Sequence, residues 1–290
     1  MTQTVGLIGY PLGHSISPVF QQAAFDHLGL DVRYELWETK PENLSNVVQD
    51  IRSTDKLGAN VTVPYKEHVL MLLDELDGLA ADIGAVNTIV KRDVGLVGYN
   101  TDAGGFLRAL EEEGKFDPKG KRVTMIGAGG VARAISFILV NSGIKSLTLF
   151  DIDIERTQKL ASELKAMEIT ALSSNKGSRF EEAVFSADLL INCTPIGMKH
   201  SASEGQSPVA EDLISSQTFV YDVVYNPIKT PLLESAERVG ARALGGLSML
   251  VYQGVAAFEL WMGREAPVDI MLQKAKTALV SDLPDIITFR

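Results

Sequence analysis

The run Val123-Thr124-Met125-Ile126-Gly127-Ala128-Gly129-Gly130-Val131-Ala132 decides the fold class, because an apolar strand leads directly into a glycine turn that opens a helix. Gly127 permits a tight turn, and Gly129 permits the backbone to approach a phosphate. The free N–H groups at the helix start can then face that anion. The next predicted strand, 146–150, ends at Asp151, at a spacing typical of a carboxylate that binds an adenosine ribose. The pattern predicts a Rossmann-like dinucleotide-binding unit, with a purely structural glycine turn as the alternative, and the acid favours NAD.

The composition is that of an ordinary globular protein, because 46% of the 290 residues are hydrophobic and 22% are charged. This length is enough for two domains. The formal net charge of −10 argues against nucleic acid and membrane as partners. Neither the single cysteine, Cys193, nor the four histidines have the spacing of metal ligands, so we expect no disulfide and no metal site.

The start of the chain has no basic region before an apolar run, and the longest uncharged stretch, 243–258, is short for a membrane span. A single cysteine is also typical of a reducing compartment. We therefore predict a cytoplasmic protein that acts on a small molecule, as a monomer or a homodimer.

Short apolar strands alternate with helices along the whole chain, which is typical of α/β folds built on parallel sheets. A turn cluster, 117–120, precedes the dinucleotide unit, and Gly245-Gly246 follows it. No further strand of that unit follows the last two predicted helices, so we expect them to pack on the N-terminal part of the chain. This order predicts an N-terminal α/β domain over 1–103 that is completed by 246–290, with the dinucleotide domain inserted over 104–245.

Two ionisable side chains outside the glycine turn are candidates for acid–base chemistry. Lys66 follows a strand run, 60–63, at the predicted start of a helix, whose partial positive charge disfavours an ammonium group. A lysine in that position can exchange protons, although a solvated surface lysine is the alternative. Asp102 lies at the start of another predicted helix, where simple capping is the alternative.

Amides and hydroxyls could supply hydrogen bonds to a polar ligand. Asn87 and Gln253 each interrupt an apolar segment, so each side chain either satisfies the backbone or faces a ligand. Ser15 and Ser17 lie at the start of a predicted helix, where two hydroxyls and free N–H groups could converge on a carboxylate.

Eight motifs along the chain resemble those of the shikimate dehydrogenase family, which includes a quinate/shikimate branch. They are Ser15-Ile16-Ser17-Pro18, Asn60-Val61-Thr62-Val63-Pro64-Tyr65-Lys66, Gly84-Ala85-Val86-Asn87-Thr88, Gly98-Tyr99-Asn100-Thr101-Asp102, Gly127-Ala128-Gly129-Gly130, Asn192-Cys193-Thr194-Pro195-Ile196-Gly197-Met198, Val224-Tyr225-Asn226-Pro227 and Met249-Leu250-Val251-Tyr252-Gln253. The resemblance implies an N-terminal substrate domain completed by the C-terminal helices. It also implies reversible NAD(P)-dependent reduction of 3-dehydroshikimate to shikimate by hydride transfer.

The same resemblance implies roles for individual residues. Lys66 is implied to be the proton donor and acceptor, with Asp102 beside it on the substrate hydroxyls. Ser15, Ser17 and Tyr225 are implied to hold the substrate carboxylate, and Thr62, Asn87 and Gln253 the ring hydroxyls. The implied cofactor-binding residues are Gly127, Ala128, Gly129, Gly130, Val131, Asp151, Arg156, Thr194, Pro195, Val223 and Gly246.

The chain departs from the family pattern after the second nucleotide strand. NADP-using members of the family carry Asn-Arg-Thr there, whereas this chain has Asp151-Ile152-Asp153 and keeps only a second family arginine, Arg156. Two acids would repel a 2′-phosphate, so we expect NAD to be preferred, with NADP use still possible. A dual quinate/shikimate dehydrogenase that prefers NAD is one alternative. A metabolite-sensing homologue without turnover is another, and intact Lys66 and Asp102 argue against it.

Overall fold

The computed structural model describes residues 2–13, 15–164, 168–172 and 177–280. One of the four histidines, His14, and the last ten residues of the predicted 246–290 segment lie outside the described residues. The described chain divides into two compact units. The first contains described residues of 1–101 and 251–290, and the second contains those of 102–250.

The first unit is an α/β unit with a mixed sheet. Its described strands are β1 (Gln3–Gly9), β2 (Val32–Glu38), β3 (Lys56–Val61), β4 (Glu75–Leu76), β5 (Thr88–Arg92) and β6 (Gly95–Tyr99). They are ordered β2-β1-β3-β5-β6-β4 in the sheet. β1 is parallel to β2 and β3, whereas β5 is antiparallel to β3 and to β6. The parallel pairing that is typical of alternating strands and helices does not extend to β5 and β6, because only two residues join them, and so short a connection turns the chain back.

The helices of the first unit cover this sheet. They are α1 (Ser17–His27), α2 (Leu44–Asp50) and α3 (Gly78–Ile83), together with residues 251–262 of α9 (Leu247–Met262) and all of α10 (Val268–Val280). Fully buried Ile8, Ile51 and Ile89 lie in the core of this unit. α10 packs against α1, and the Trp261 indole donates a hydrogen bond to the Ile89 carbonyl at 3.0 Å. The C-terminal helices therefore complete the N-terminal unit.

The second unit contains a parallel sheet. Its described strands are β7 (Arg122–Ile126), β8 (Ser146–Phe150), β9 (Glu168–Leu172), β10 (Leu189–Asn192), β11 (Phe219–Asp222) and β12 (Arg242–Gly245). They are ordered β12-β11-β10-β7-β8-β9, and every described pair is parallel. The connecting helices are α4 (Thr101–Glu112), whose first residue belongs to the first unit, α5 (Gly130–Asn141), α6 (Ile154–Glu163), α7 (Ser178–Phe185) and α8 (Pro231–Arg238). The predicted α/β class with a Rossmann-like parallel sheet is confirmed.

None of the described helices combines the length and the apolar character that a bilayer crossing requires. The compartment and the oligomeric state stay predictions from the sequence.

Candidate active site

Lys66 lies in a turn of the first unit between β3 and a short 3₁₀ helix, His68–Leu72. The predicted longer helix after Lys66 is wrong, because only this single 3₁₀ segment forms before β4. The Lys66 side chain is half-buried, and its backbone carbonyl accepts a hydrogen bond from Val86 N–H at 2.8 Å. That bond fixes the main chain of Lys66 against the segment that carries Asn87. Thr62 is half-buried in the same turn, and its carbonyl accepts from Tyr65 N–H at 2.9 Å.

A buried hydrogen-bond network fixes the amide of Asn87, which is 2% exposed. Its Nδ2 donates to the Thr101 hydroxyl at 2.9 Å and to Gln253 Oε1 at 3.2 Å. Its Oδ1 accepts from the backbone N–H of Thr101 at 2.7 Å. The open question about Gln253 is thus answered in part, because its side-chain oxygen pairs with the Asn87 amide. Two amides that were predicted to bind a ligand are brought together beside the main chain of Lys66.

The network extends to residues that the sequence interpretation did not select. Asn60 donates from Nδ2 to the Asn87 carbonyl at 3.2 Å and to the Thr88 hydroxyl at 3.1 Å, and it accepts from the Tyr34 hydroxyl at 2.8 Å. Thr88 and Thr101 are also buried, and their hydroxyls lie 3.2 Å apart. A polar residue in an apolar strand was the available signal for Asn60 and Thr88, whereas Thr101 begins the helix α4. The extended network limits the rotation of Asn87.

The two predicted serines lie at the start of α1. Ser17 is the first residue of the helix and is buried, whereas Ser15 is half-buried and its Oγ accepts from Ser17 N–H at 3.3 Å. Ile16 occupies the N-cap position of α1, and its side chain has no polar atom that could cap the helix. Helix N–H groups and two hydroxyls therefore occur together here, which suits a carboxylate.

Asp102 is the second residue of α4, where it is 6% exposed. It directly follows Thr101, whose side chain and N–H both bond to Asn87. A carboxylate in the first turn of a helix is stabilised by the helix dipole. The position therefore fits both helix stabilisation and a role on a ligand.

The glycine turn of the second unit lies between β7 and α5, as predicted. Gly127 has φ of +104°, and a Cβ placed there would lie 3.0 Å from the carbonyl carbon of Cys193. Gly129 is the N-cap of α5 and offers no capping side chain, while Ala128, Gly130 and Val131 are half-buried. The first N–H groups of α5 have no acceptor within their own helix. This cradle fits the pyrophosphate of a dinucleotide.

The acids after β8 form hydrogen bonds with the backbone. Asp151 accepts at Oδ2 from Ala128 N–H at 2.7 Å and at Oδ1 from Asp153 N–H at 3.0 Å. Asp153 caps α6 by accepting from the N–H groups of Glu155 and Arg156. The Arg156 side chain is 66% exposed, and its Nε lies 3.6 Å from Asp153 Oδ2. Asp151 therefore fastens the glycine turn, and Arg156 presents a guanidinium at the start of α6.

The remaining predicted cofactor residues follow β10, β11 and β12. Thr194 donates from its N–H and its hydroxyl to Asn192 Oδ1, at 3.0 and 2.6 Å, and Pro195 comes next. Val223 N–H donates to the Asn192 carbonyl at 2.9 Å, and a Cβ on Gly246 would lie 2.0 Å from the Val223 carbonyl oxygen. These residues share the carboxyl edge of the parallel sheet, where open α/β sheets bind ligands.

Asp222, the last residue of β11, and Tyr225 in the loop after it both have shifted pKa values. Burial raises the pKa of the Tyr225 phenol, so this half-buried side chain is a neutral hydroxyl near pH 7. Burial also raises the pKa of Asp222 to about 6, although hydrogen bonds from Thr230, Val224 and Asn192 oppose the shift. A neutral phenol can donate a hydrogen bond to a carboxylate, which suits the predicted role of Tyr225.

Family profiles match three segments of the chain. The shikimate dehydrogenase substrate binding domain matches residues 7–89, and the shikimate / quinate 5-dehydrogenase profile matches residues 110–204. The shikimate 5'-dehydrogenase C-terminal domain matches residues 246–276.

Individual relatives extend over nearly the whole chain. The shikimate dehydrogenase (NADP(+)) of Methanopyrus kandleri is 44% identical over 274 residues, which are 93% of each chain. That of Moorella thermoacetica is 45% identical over 282 residues, which are 96% of this chain and 94% of the relative. A solved shikimate dehydrogenase in complex with NADP+ is similar with a TM-score of 0.87 at 35% identity, and the match covers 96% of each chain.

These names correct the cofactor prediction. Both relatives are named for NADP(+), so the predicted preference for NAD is wrong. The physical reason lies in Asp151 and Asp153, whose carboxylates are engaged by backbone N–H groups. Because Asp151 is hydrogen-bonded to the glycine turn and Asp153 caps α6, neither acid indicates which cofactor binds. With 44 to 45% identity to these relatives over more than nine-tenths of its length, the chain belongs to the shikimate dehydrogenase family of NAD(P)-dependent oxidoreductases.

Proposed function

We propose that this protein is a shikimate dehydrogenase that interconverts 3-dehydroshikimate and shikimate with NADP(H). The observation that carries the proposal is the buried network that holds Asn87 and Gln253 together beside the main chain of Lys66. Fixed amides of this kind suit a small ligand with several hydroxyl groups. The names of the relatives from Methanopyrus kandleri and Moorella thermoacetica support both the substrate and the cofactor.

Lys66 is the proposed acid–base group. Oxidation of shikimate removes a hydride from the carbon that bears the reacting hydroxyl, and the hydroxyl proton must leave at the same centre. The cofactor, when bound, accepts that hydride at its nicotinamide ring. A neutral Lys66 amine takes up the proton, and in the reverse direction the Lys66 ammonium returns it to the carbonyl oxygen.

Asp102 and the amide network are proposed to orient the substrate. The carboxylate of Asp102 accepts a hydrogen bond from a substrate hydroxyl, and Thr62, Asn87 and Gln253 bind the remaining hydroxyls. Because Asn87 is already fixed by Thr101, little rotational freedom is lost when the substrate binds.

The residues proposed to bind the substrate carboxylate are Ser15, Ser17 and Tyr225. Ser15 and Ser17 supply hydroxyls at the start of α1, and helix N–H groups add partial positive charge there. This local recruitment matters because the net charge of −10 repels an anion at long range.

The NADP(H) site is proposed at the carboxyl edge of the parallel sheet in the second unit. Gly127, Gly129 and the first N–H groups of α5 hold the pyrophosphate, and the exposed guanidinium of Arg156 binds the 2′-phosphate. Thr194, Pro195, Val223 and Gly246 line the nicotinamide side. In this proposal the first unit is the substrate domain and the second is the cofactor domain.

The test is steady-state oxidation of shikimate by the purified protein with NADP+, followed by the absorbance of the reduced cofactor. Lys66→Met should lower kcat by about 1000-fold, because the proton transfer loses its base. Lys40→Met is the matched control, since Lys40 is exposed in the same unit, and it should leave kcat unchanged. Absence of turnover in the wild-type protein, or full activity in Lys66→Met, would refute the proposal.

Quinate is the second candidate substrate, because the profile that matches residues 110–204 covers shikimate and quinate enzymes together. Quinate carries an additional tertiary hydroxyl on a saturated ring, so its pocket must offer one more polar partner. The same assay with quinate in place of shikimate separates the two, and kcat/KM is expected to be higher for shikimate.

A further inference from the structure

Two adjacent strands of the parallel sheet in the second unit end in polar side chains to which the proposed function gives no role. Asn192 ends β10 and Asp222 ends β11, and the two residues are partners in the strand register. Both are fully buried, and the Asn192 amide donates to Asp222 Oδ1 at 2.9 Å. A buried carboxylate is costly unless donors surround it, so its contacts indicate what it does.

On one side of this pair, Asn192 holds the loop that follows β10. Its Oδ1 accepts from both the N–H and the hydroxyl of Thr194, and its Nδ2 also donates to the Ile196 carbonyl at 3.3 Å. The Thr194 hydroxyl in turn accepts from Ile196 N–H at 3.2 Å. The buried side-chain amide of Asn192 therefore holds the loop that carries Thr194 and Pro195.

On the other side, Asp222 holds the loop that follows β11. Its Oδ1 accepts from Val224 N–H at 3.0 Å, and its Oδ2 accepts from the Thr230 hydroxyl at 2.6 Å. Thr230 is the N-cap of α8 and accepts from Leu233 N–H, so its own proton faces Asp222. With the Asn192 amide, three donors converge on Asp222, and the deprotonated carboxylate is the form that accepts from all three. Tyr225 lies in the loop that is held in this way.

The two loops also meet each other and the glycine turn. Lys199 N–H donates to the Asn226 carbonyl at 2.8 Å, which joins the loop after β10 to the loop after β11. Gly127 lies close to Cys193, as the 3.0 Å approach of a Cβ at that position indicates. A displacement of either loop would therefore reach the proposed pyrophosphate cradle.

We propose that Asp222 is a positioning residue whose carboxylate holds the loops after β10 and β11 in the geometry that cofactor and substrate binding require. The roles of the loops rest on the proposed function, whereas the hydrogen bonds do not. Asp222 is fully buried, so it acts through Thr194 and Tyr225 rather than on the reacting atoms. A misplacement of about 1 Å in such a loop is enough to lower a rate by about 100-fold.

The first test measures the order of the loops without turnover. Asp222→Asn keeps the size of the side chain but replaces one acceptor oxygen with a donor, which opposes one of the three donors around it. Hydrogen exchange over residues 193–198 and 223–228 should become about 10-fold faster, the effect expected from one lost hydrogen bond to a charged group. Asp188→Asn is the matched control, because Asp188 precedes β10 and pairs with Arg122. It should leave both segments unchanged.

The second test compares kinetic constants. Asp222→Asn should raise the KM for NADP+ and for shikimate by about 10-fold each, more than it lowers kcat, while the far-ultraviolet circular dichroism stays that of the wild type. A purely structural role would lower the folded fraction, and with it kcat, and leave both KM values unchanged. Adding Asn192→Asp to Asp222→Asn restores one carboxylate and one amide to the pair, and part of the loss in both KM values should be recovered.

Thr230→Val provides a milder perturbation if Asp222→Asn does not fold, because it removes one donor and leaves the carboxylate in place. Its effects should have the same direction in both tests. Exchange rates that match the wild type, KM values that match the wild type, or equal changes in Asp188→Asn would overturn the proposal. If the wild-type protein binds NADP+ without oxidising shikimate, the proposed function fails, and the exchange measurement still decides the role of Asp222.

Discussion

Two glycines that are proposed to bind the cofactor should respond in opposite ways to one added methyl group. A Cβ on Gly246 would lie 2.0 Å from the carbonyl oxygen of Val223 and 2.5 Å from its carbonyl carbon. A Cβ on Gly129 meets no atom of the described residues within 4 Å beyond its chain neighbours and its own helix. The backbone of Gly129 has φ of −79° and ψ of −173°, which alanine adopts freely. Gly246→Ala therefore tests packing, and Gly129→Ala tests ligand binding.

The magnitudes follow from these distances. In Gly246→Ala the main chain itself must move, because a Cβ contact below 3.0 Å is not tolerated and the neighbour is a backbone carbonyl. Overpacking of this kind costs about 3 kcal/mol, which lowers the melting temperature by about 10 °C in a unit of this size. In Gly129→Ala, a loss of about 0.5 to 1 kcal/mol in N-cap preference is offset by a similar entropy gain from the stiffer unfolded chain. Its melting temperature should stay within about 2 °C of the wild type.

The assay combines thermal unfolding with calorimetric titration of NADP+. Gly129→Ala should bind NADP+ about 10- to 100-fold more weakly, because its methyl group occupies the space in which a phosphate approaches the backbone. A Gly129→Ala protein with wild-type affinity would refute the cradle, since the pyrophosphate would then not rest on this residue. A Gly246→Ala protein with the wild-type melting temperature would refute the close approach to Val223.

Three further predictions concern single side chains. Arg156→Gln should raise the KM for NADP+ by about 10-fold and leave that for NAD+ unchanged, and equal effects on both cofactors would contradict a 2′-phosphate contact. Thr101→Val should lower the free energy of unfolding, measured in urea, by about 1 to 3 kcal/mol, because Asn87 loses a hydrogen-bond partner. It should also lower kcat/KM in steady-state assays. Thr277→Val is the control, since Thr277 is exposed, and it should change neither quantity. The pKa of Asp222 is raised from 3.8 to about 6, so the folded state binds the proton of this carboxyl more tightly than the unfolded state does. The resulting stabilisation is complete below about pH 4 and is lost as the pH rises through 6. The shift corresponds to about 3 kcal/mol. In urea unfolding, the stability of Asp222→Asn relative to the wild type should therefore improve by about 1 kcal/mol between pH 5 and 7.5. A difference in stability that stays constant over this pH range would refute the shift.

Local features of the fold could be predicted because they depend on neighbouring residues. The strand Ser146–Phe150 and the helix Leu247–Met262 have the bounds that their apolar patterns indicate. The positive φ of Gly127 follows from the tight turn that the sequence requires. The antiparallel pair β5 and β6 was not predicted, because a strand with two buried faces has the same apolar pattern in either direction.

The partners of buried polar residues could not be predicted, because they depend on strand register. The sequences of β10 and β11 each end in one polar residue after an apolar run, which is a visible signal. That Asn192 and Asp222 face each other follows only from the pairing of two strands whose ends lie 30 residues apart in the chain. The partner of Asn87 could not be predicted for a related reason, because Gln253 lies in the helix α9, 166 residues away, and only the packing of α9 brings the two amides together.

Asp151 shows why a correct motif can still give a wrong cofactor. A carboxylate at the end of the second nucleotide strand lies close to two kinds of donor, the ribose hydroxyls of a dinucleotide and the free N–H groups of the glycine turn. The spacing in the sequence is identical for both, and only the structure reveals that Asp151 accepts from Ala128 N–H at 2.7 Å. Once that carboxylate is engaged, its charge is partly offset by two backbone dipoles, and its repulsion of a 2′-phosphate weakens. We therefore expect discrimination to depend on the proposed contact between Arg156 and the 2′-phosphate, because one exposed arginine can support NADP binding beside two acids.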